Sequence, residues 1–144
     1  MATYANLRTS VHTVIYGILT ADTTLLALTN NIVDGSLYKV IKQRGFPYVI
    51  INTPAIELHA NRYLDNEKFK QEVTVKITVA SIKESVVRSV SDAVINALKT
   101  NQDTTREANL NWFKLRGATA NQYMMDNMDT VHTYDISVGY TFVG

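Results

Sequence analysis

The stretch that decides this fold is Glu72-Val73-Thr74-Val75-Lys76-Ile77-Thr78-Val79. Its apolar and polar residues alternate, which predicts a β-strand with one face in the core and the other towards solvent. Residues 81–99 follow it almost directly, and Ser81 and Glu84 match a capping box, so we predict a helix that begins at Ser81. Seven apolar residues in this segment recur at helical spacing and would form one apolar stripe on the helix: Ile82, Val86, Val90, Ala93, Val94, Ala97 and Leu98.

More strands are predicted before this unit. Residues 46–51 read Phe-Pro-Tyr-Val-Ile-Ile, and Pro47 suits the start of a strand because it has no amide N–H for a ladder. We predict a strand over residues 48–52, with residues 56–63 pairing to it, and a short strand over residues 37–41. Asn, Asp and Gly between residues 30 and 35 predict a turn.

The N-terminal part of the sequence predicts two helices. Residues 4–20 have a helical apolar stripe, and Asp22 is a suitable N-cap for a short Leu-rich helix that ends near residue 29. The stripe consists of Leu7, Val11, Val14, Ile15, Ile18 and Leu19.

The C-terminal part predicts a polar connection over residues 101–109, a strand over 112–116 and a polar loop over 118–129. The last strand places His132, Tyr134, Ile136, Val138, Tyr140 and Phe142 on one face. This order of elements predicts an α+β fold. We expect an antiparallel, or mixed, β-sheet with the N-terminal helix and a second amphipathic helix packed on one face, in a single domain spanning residues 1–144.

Composition excludes several classes of protein. The 144 residues contain no Cys, which excludes a disulfide scaffold, a thiolate zinc site and a cysteine nucleophile. Fourteen Lys and Arg face thirteen Asp and Glu, a balance that argues against binding nucleic acid through phosphates. No apolar run reaches the roughly 18 residues of a membrane span, and residues 1–8 lack a signal-peptide layout, so we expect a soluble, unprocessed chain without a membrane partner.

Catalytic chemistry has no support in the residues. His12, His59 and His132 fall in different predicted elements. Asp126 and Asp129 lie at three-residue spacing before His132, but a solvated acidic loop explains them better than a metal site. No nucleophile elbow, phosphate loop or dinucleotide fingerprint is present. We therefore predict no catalytic, cofactor or metal site, and a protein that is not an enzyme.

Candidate contact residues are better represented. The predicted loop near residue 124 holds three of the four methionines, whose flexible side chains suit adaptable interfaces. Equally, some of them could pack under the sheet, and apolar residues in a predicted turn near residue 63 could serve local packing. The candidate interface residues are Tyr63, Leu64, Ile95, which lies off the helix stripe, Tyr123, Met124, Met125 and Met128.

In its order of elements the chain resembles the tail terminator, or tail-to-head joining (tail completion), proteins of long-tailed bacteriophages. The resemblance covers nearly the whole chain, and its specific points are Phe-Pro-Tyr-Val-Ile at residues 46–50 and the strand-to-helix junction near residue 80. It implies a structural virion protein, assembled in the host cytoplasm, that forms a hexameric ring at the head–tail junction. Such a ring caps the tail tube, ends tail elongation and joins the tail to the head. It also implies tail tube protein on one face, a head-completion or connector protein on the other, and a lumen that DNA crosses without specific binding.

Two other hypotheses stay open. A head-completion (stopper or neck) protein would share the virion location and contact different faces. A small intracellular α+β binding module, or an enzyme with an unrecognised pocket, would be a compact monomer or dimer with a concave site near His59 or His132.

Overall fold

The computed structural model describes residues 7–29, 31–34, 46–57, 70–124 and 130–143. Within these ranges the chain has the predicted α+β fold, with a mixed sheet of six strands and four helices. The helices are α1 (Leu7–Ala21), α2 (Thr23–Leu28), α3 (Glu84–Thr100) and α4 (Gln102–Glu107). The strands are β1 (Ile32–Asp34), β2 (Tyr48–Ile51), β3 (Ala55–Glu57), β4 (Lys70–Ser81), β5 (Leu110–Met124) and β6 (Thr130–Val143).

The main sheet has the strand order β1-β2-β4-β6-β5, with β1 parallel to β2 and the other neighbours antiparallel. Strand β3 pairs with β4 and not with β2, so the predicted pairing with residues 48–52 is wrong for residues 56 and 57. The rest of that predicted segment, residues 58–63, lies outside the described residues. The amide of Asn52 still donates to the carbonyl of Lys76, at 3.0 Å. The chain therefore continues along the same edge of β4 from β2 to β3 instead of turning back.

The main core lies between one face of the sheet and helices α1 and α3. The alternation of β4 is confirmed, because Val73, Val75, Ile77 and Val79 are all buried. The predicted apolar face of β6 holds over its second half, from Ile136 to Phe142. Every residue of the α1 stripe is buried except Val14, which is partly buried against the same core.

The predicted capping box is wrong. Ser81 is the last residue of β4 and pairs with His132 of β6, so its backbone belongs to the sheet. Helix α3 begins at Glu84, Lys83 occupies the N-cap position without a side-chain cap, and the Ser81 hydroxyl accepts from the Lys83 amide at 3.3 Å. The later start leaves Ile82 exposed, while Val87, outside the predicted stripe, is buried.

The cap of α2 is as predicted. The amide of Leu25 donates to a carboxylate oxygen of Asp22 at 2.8 Å. This satisfies one of the free amides at the start of a helix and stabilises it by about 1 kcal/mol.

Two segments predicted as turn or connection are regular. Ile32–Asp34 forms β1, because pairing with β2 and burial of Ile32 outweigh the local turn preference. Gln102–Glu107 forms α4, with an ion pair between Asp103 and Arg106 and with Thr105 buried. The strand predicted over residues 37–41 lies outside the described residues.

The largest difference from prediction is in β5. The sequence indicates a strand over residues 112–116 and a loop from residue 118, yet β5 runs unbroken from Leu110 to Met124 along β6. In residues 118–124, Ala118, Ala120 and Asn121 have little strand propensity, whereas Thr119 and Tyr123 favour strands. The hairpin ladder with residues 130–136 of β6 holds the whole segment in strand conformation.

Candidate functional site

A groove of about 700 Å³ lies between helix α3 and the outer half of the β5–β6 hairpin. The helix side carries Ile95, and the strand side carries His132 and Tyr134. Ala118, Ala120 and Gln122 lie on the helix side of the sheet, opposite Ile136, Tyr134 and His132 of β6, and all three are exposed. The full lining is Glu84, Val87, Arg88, Ser91, Asp92, Ile95, Ala120, Asn121, Gln122, His132, Thr133 and Tyr134.

Charge in the groove is mixed. Glu84, Arg88 and Asp92 recur every fourth residue along α3, so both signs face the opening. The Ser91 hydroxyl is buried and has no hydrogen-bond partner within the described part of the chain. This mixture suits a polar contact surface.

The end of the hairpin exposes two of the predicted interface residues. Tyr123 is 50% exposed and Met124 is 68% exposed. In the ladder Tyr123 is opposite Val131 and Met124 is opposite Thr130, so the two side chains lie on opposite faces of the sheet. Neither is part of the core. The alternative that one or two of the methionines pack under the sheet does not hold for Met124, and Met125 and Met128 lie outside the described residues.

A salt bridge crosses the sheet on the face away from α3. The Arg116 guanidinium donates to Glu72 at 2.8 Å, and the Thr141 hydroxyl donates to the other oxygen of the same carboxylate at 3.1 Å. Arg116 lies on β5 and Glu72 on β4, so the arginine passes over β6 at Gly139. A Cβ on Gly139 would collide with the Arg116 side chain, so the glycine leaves the space this link requires.

A second polar cluster on that face joins β4 to β6. The Thr78 hydroxyl donates to Asp135 at 2.6 Å, and Lys76 lies 3.8 Å from the other oxygen of that carboxylate. The Asn52 side-chain amide donates to the Lys76 carbonyl at 3.0 Å. In both clusters the charged side chains pair with partners on other strands of the sheet. We therefore interpret them as interactions that stabilise the sheet.

Tyr140 is a buried titratable group in the core. It packs against Phe113, and its hydroxyl has no hydrogen-bond partner among the described residues. Burial raises the pKa of the Tyr140 hydroxyl well above its ordinary value. A neutral tyrosine under the sheet contributes packing and has no route to a substrate.

Two searches of the described ranges gave negative results. Within them, no group of three or more His, Asp or Glu side chains is placed to hold a metal ion. No described helix combines the length and the apolar composition that crossing a membrane requires.

The predicted residues separate into two groups. Ile95, Tyr123 and Met124 are on or beside the groove and the hairpin end. The others, Tyr63, Leu64, Met125 and Met128, lie outside the described residues, as do His59, Asp126 and Asp129.

Sequence reasoning missed two exposed apolar residues on β5. Trp112 is 62% exposed and Leu115 is 50% exposed. The ladder is irregular between Asn111 and Lys114 and again between Leu115 and Gly117, and Trp112 has a positive φ of 55°. The lack of clean alternation over residues 110–117 is the signal in the sequence that could have indicated a bulged edge strand.

Comparison with known proteins identifies a solved structure with a similar fold. No protein-family model matches the sequence, and no curated protein matches it. Among solved structures, the chain is similar to a chain from the virion of the native gene transfer agent particle. The TM-score is 0.58 with 17% sequence identity, and the match covers 99% of this chain and 100% of that one. At this identity the likeness shows a shared fold.

Proposed function

We propose that this protein is a structural component of a phage-like virion and has no enzymatic activity. The observation that carries the proposal is the fold likeness to a chain of the gene transfer agent virion, which extends over 99% of this chain and all of that one. Since both chains match end to end, the similarity extends over the whole fold and is not confined to one motif. The single-domain organisation over residues 1–144 belongs to the same proposal.

Within the virion, we assign the protein to the tail terminator role. Copies form a ring, hexameric in the related phage proteins, that caps the tail tube and joins the tail to the head connector. Tube protein binds one face, a head-completion or connector protein binds the other, and DNA crosses the lumen without specific binding. The resemblance in order of elements supports this finer role, and the protein would act at the head–tail junction after assembly in the host cytoplasm.

The surfaces of the subunit support an assembly role. A ring of copies that face the same way needs two different interfaces on each subunit. We propose the groove beside α3 and the exposed end of the hairpin, both on the described part of the chain, as these two interfaces. Ile95 would contribute to the first, and Tyr123 and Met124 to the second. Met125 and Met128 follow Met124 closely in the sequence, so we propose that they contribute to the same interface at the hairpin end. We also propose Tyr63 and Leu64 as contact residues.

The direct experiment mixes purified protein with purified tail tubes. We expect stable binding at one tube end, visible by negative-stain electron microscopy, and a block to further tube growth. A head-completion protein would instead bind connector-filled heads and ignore tubes. A compact monomer that binds neither would contradict the virion proposal and favour the binding-module hypothesis, with the groove beside His132 as its site.

A variant set tests the hairpin separately. Replacing Met124, Met125 and Met128 by Ser should weaken assembly and leave the melting temperature nearly unchanged, because exposed side chains contribute little to folding. Leu28→Ser is the matched control, since Leu28 is 42% exposed on α2, away from the hairpin. A large drop in melting temperature with normal assembly would show that these methionines serve the core.

A further inference from the structure

The outer half of β5 is an unprotected edge strand. Residues 117–124 read Gly-Ala-Thr-Ala-Asn-Gln-Tyr-Met, with no charge and no proline, and all eight are exposed. Among the described residues their strand has β6 as its single neighbour. The ladder from Gly117 to Met124 has no bulge. Backbone groups along the free edge are therefore positioned to pair with another strand.

The inner half of the same strand is protected. Residues 110–117 contain two irregularities of register and carry Lys114 and Arg116. Bulges and basic residues are the usual means by which edge strands avoid pairing with other chains. The contrast within one strand indicates that the outer half is available for pairing, while the inner half is not.

Side-chain size identifies the partner of this edge. The segment begins with small residues, Gly117 and Ala118, and ends with larger ones, Gln122 and Tyr123. An antiparallel second copy centred on Ala120 places the two small residues at the start of the segment opposite the two larger ones near its end. Gly117 then faces Tyr123 and Ala118 faces Gln122, while Thr119 faces Asn121 and Ala120 faces its own copy. Aromatic residues opposite glycine are a favourable cross-strand pair in edge strands.

We propose that two copies of the free chain pair through this edge, β5 against β5, about a two-fold axis at Ala120. The sheets join into one, and no charges oppose each other within the paired segment. The interface is small, so the dimer is weak and depends on concentration. The proposal concerns the purified chain in solution and does not depend on the virion role.

The pairing has a consequence for assembly. Neighbours in a ring of copies that face the same way are not related by a two-fold axis. The β5 dimer and such a ring therefore exclude each other through this edge. Under the ring role proposed above, the dimer would have to dissociate before assembly.

Cysteine crosslinking tests the register, and the chain supplies a clean background because it has no Cys. Under mild oxidation Ala120→Cys should form a disulfide-linked dimer, since the two Cα atoms face each other within the ~4.4–6.8 Å that a disulfide spans. The control is Ala118→Cys, which is equally exposed on the same face but lies about 14 Å from its copy at ~3.4 Å per residue. The double variant Ala118→Cys with Gln122→Cys should crosslink again. Equal crosslinking of Ala118→Cys and Ala120→Cys, or none by Ala120→Cys, would overturn the proposal.

Mass measurement tests the contact without crosslinking. Light scattering should show the 16.1 kDa chain moving towards twice that mass as its concentration rises. Ala120→Lys places two like charges directly opposite and should shift the midpoint about fivefold upward, whereas Ala118→Lys adds the same charge opposite Gln122 and should shift it much less. A wild-type chain that stays monomeric over about a hundredfold range of concentration, wide enough to reveal even a weak interface, would refute the dimer.

Discussion

Strands β4 and β5 occupy opposite situations in the same sheet. Along β4, between two neighbours for most of its length, residues 77–81 are all buried, including Thr78 and Ser81. Along β5, residues 114–124 are all exposed. A strand at the centre of a sheet has most of its side chains packed within the protein. A strand at the edge has exposed side chains and unpaired backbone groups that can contact other molecules.

Substitutions at the centre of the sheet should lower the free energy of unfolding the most. Phe142 of β6 is completely buried, so Phe142→Ala should lower the free energy of unfolding by about 3–5 kcal/mol, through lost burial and the cavity left behind. Leu115→Ala on β5 should cost less than about 1 kcal/mol. Urea unfolding of both variants measures the difference, and equal losses would contradict the division between centre and edge.

Removing the salt bridge between Arg116 on the edge strand β5 and Glu72 on the central strand β4 should have an intermediate effect on the free energy of unfolding. Arg116 is 34% exposed and Glu72 is 18% exposed, so their salt bridge is partly shielded from water. Arg116→Met should lower the free energy of unfolding by about 1 kcal/mol, because Glu72 keeps only its bond from Thr141. Gly139→Ala should act in the same direction by displacing the arginine.

Combining those two substitutions distinguishes this link from nonspecific strain. If Gly139→Ala acts through Arg116, the double variant should lose little more than Arg116→Met alone. Additive losses in urea unfolding would indicate that Gly139 matters for another reason.

Tyr140 provides a pH test of the centre. Its pKa is raised in the folded state by burial, from an ordinary value of 10.0. Below pH 10 the Tyr140 hydroxyl is protonated in both the folded and the unfolded state, so its contribution to the free energy of unfolding does not change with pH. Above pH 10 the unfolded state loses the proton first, so stability should fall by up to about 1.4 kcal/mol per pH unit.

The control for that effect is Tyr140→Phe, which has no hydroxyl to ionise. Near pH 7 its free energy of unfolding should lie within about 1 kcal/mol of wild type, since the lost hydroxyl has no partner among the described residues. Between pH 10 and 11 the variant should become the more stable of the two. Parallel curves through that range would show that Tyr140 is not protected from ionisation.

The smallest effect on stability is expected at the outer end of β5. Met124 is 68% exposed, so Met124→Ser should change the free energy of unfolding by less than about 0.5 kcal/mol. Thermal unfolding by circular dichroism is the measurement. A loss above about 2 kcal/mol would place Met124 in the core and remove the distinction between the two strands.

Sequence reasoning succeeded where a pattern is local. The alternation of β4, the α1 stripe and the Asp22 cap each depend on residues a few positions apart, and each is present in the structure. It failed at Ser81 because a capping pattern cannot reveal that the serine is already paired with His132. For the candidate site, the sequence named Ile95, Tyr123 and Met124. The binding-module hypothesis expected a concave site near His59 or His132, and His132 lines the groove. The sequence did not predict that helix α3 forms the other wall, or that Trp112 is exposed.

By itself, the sequence determined the α+β class, the main helices and the central strands, because hydrophobic periodicity sets which face of each element is buried. Tertiary structure alone decided that residues 118–124 form a strand, that β3 lies beside β4, and that a groove opens between α3 and the hairpin. The position of β3 and the groove depend on partners distant in sequence. Residues 118–124 instead pair with residues 130–136 of the same hairpin, and this backbone pairing extends the strand through Ala118, Ala120 and Asn121, which have weak strand propensity.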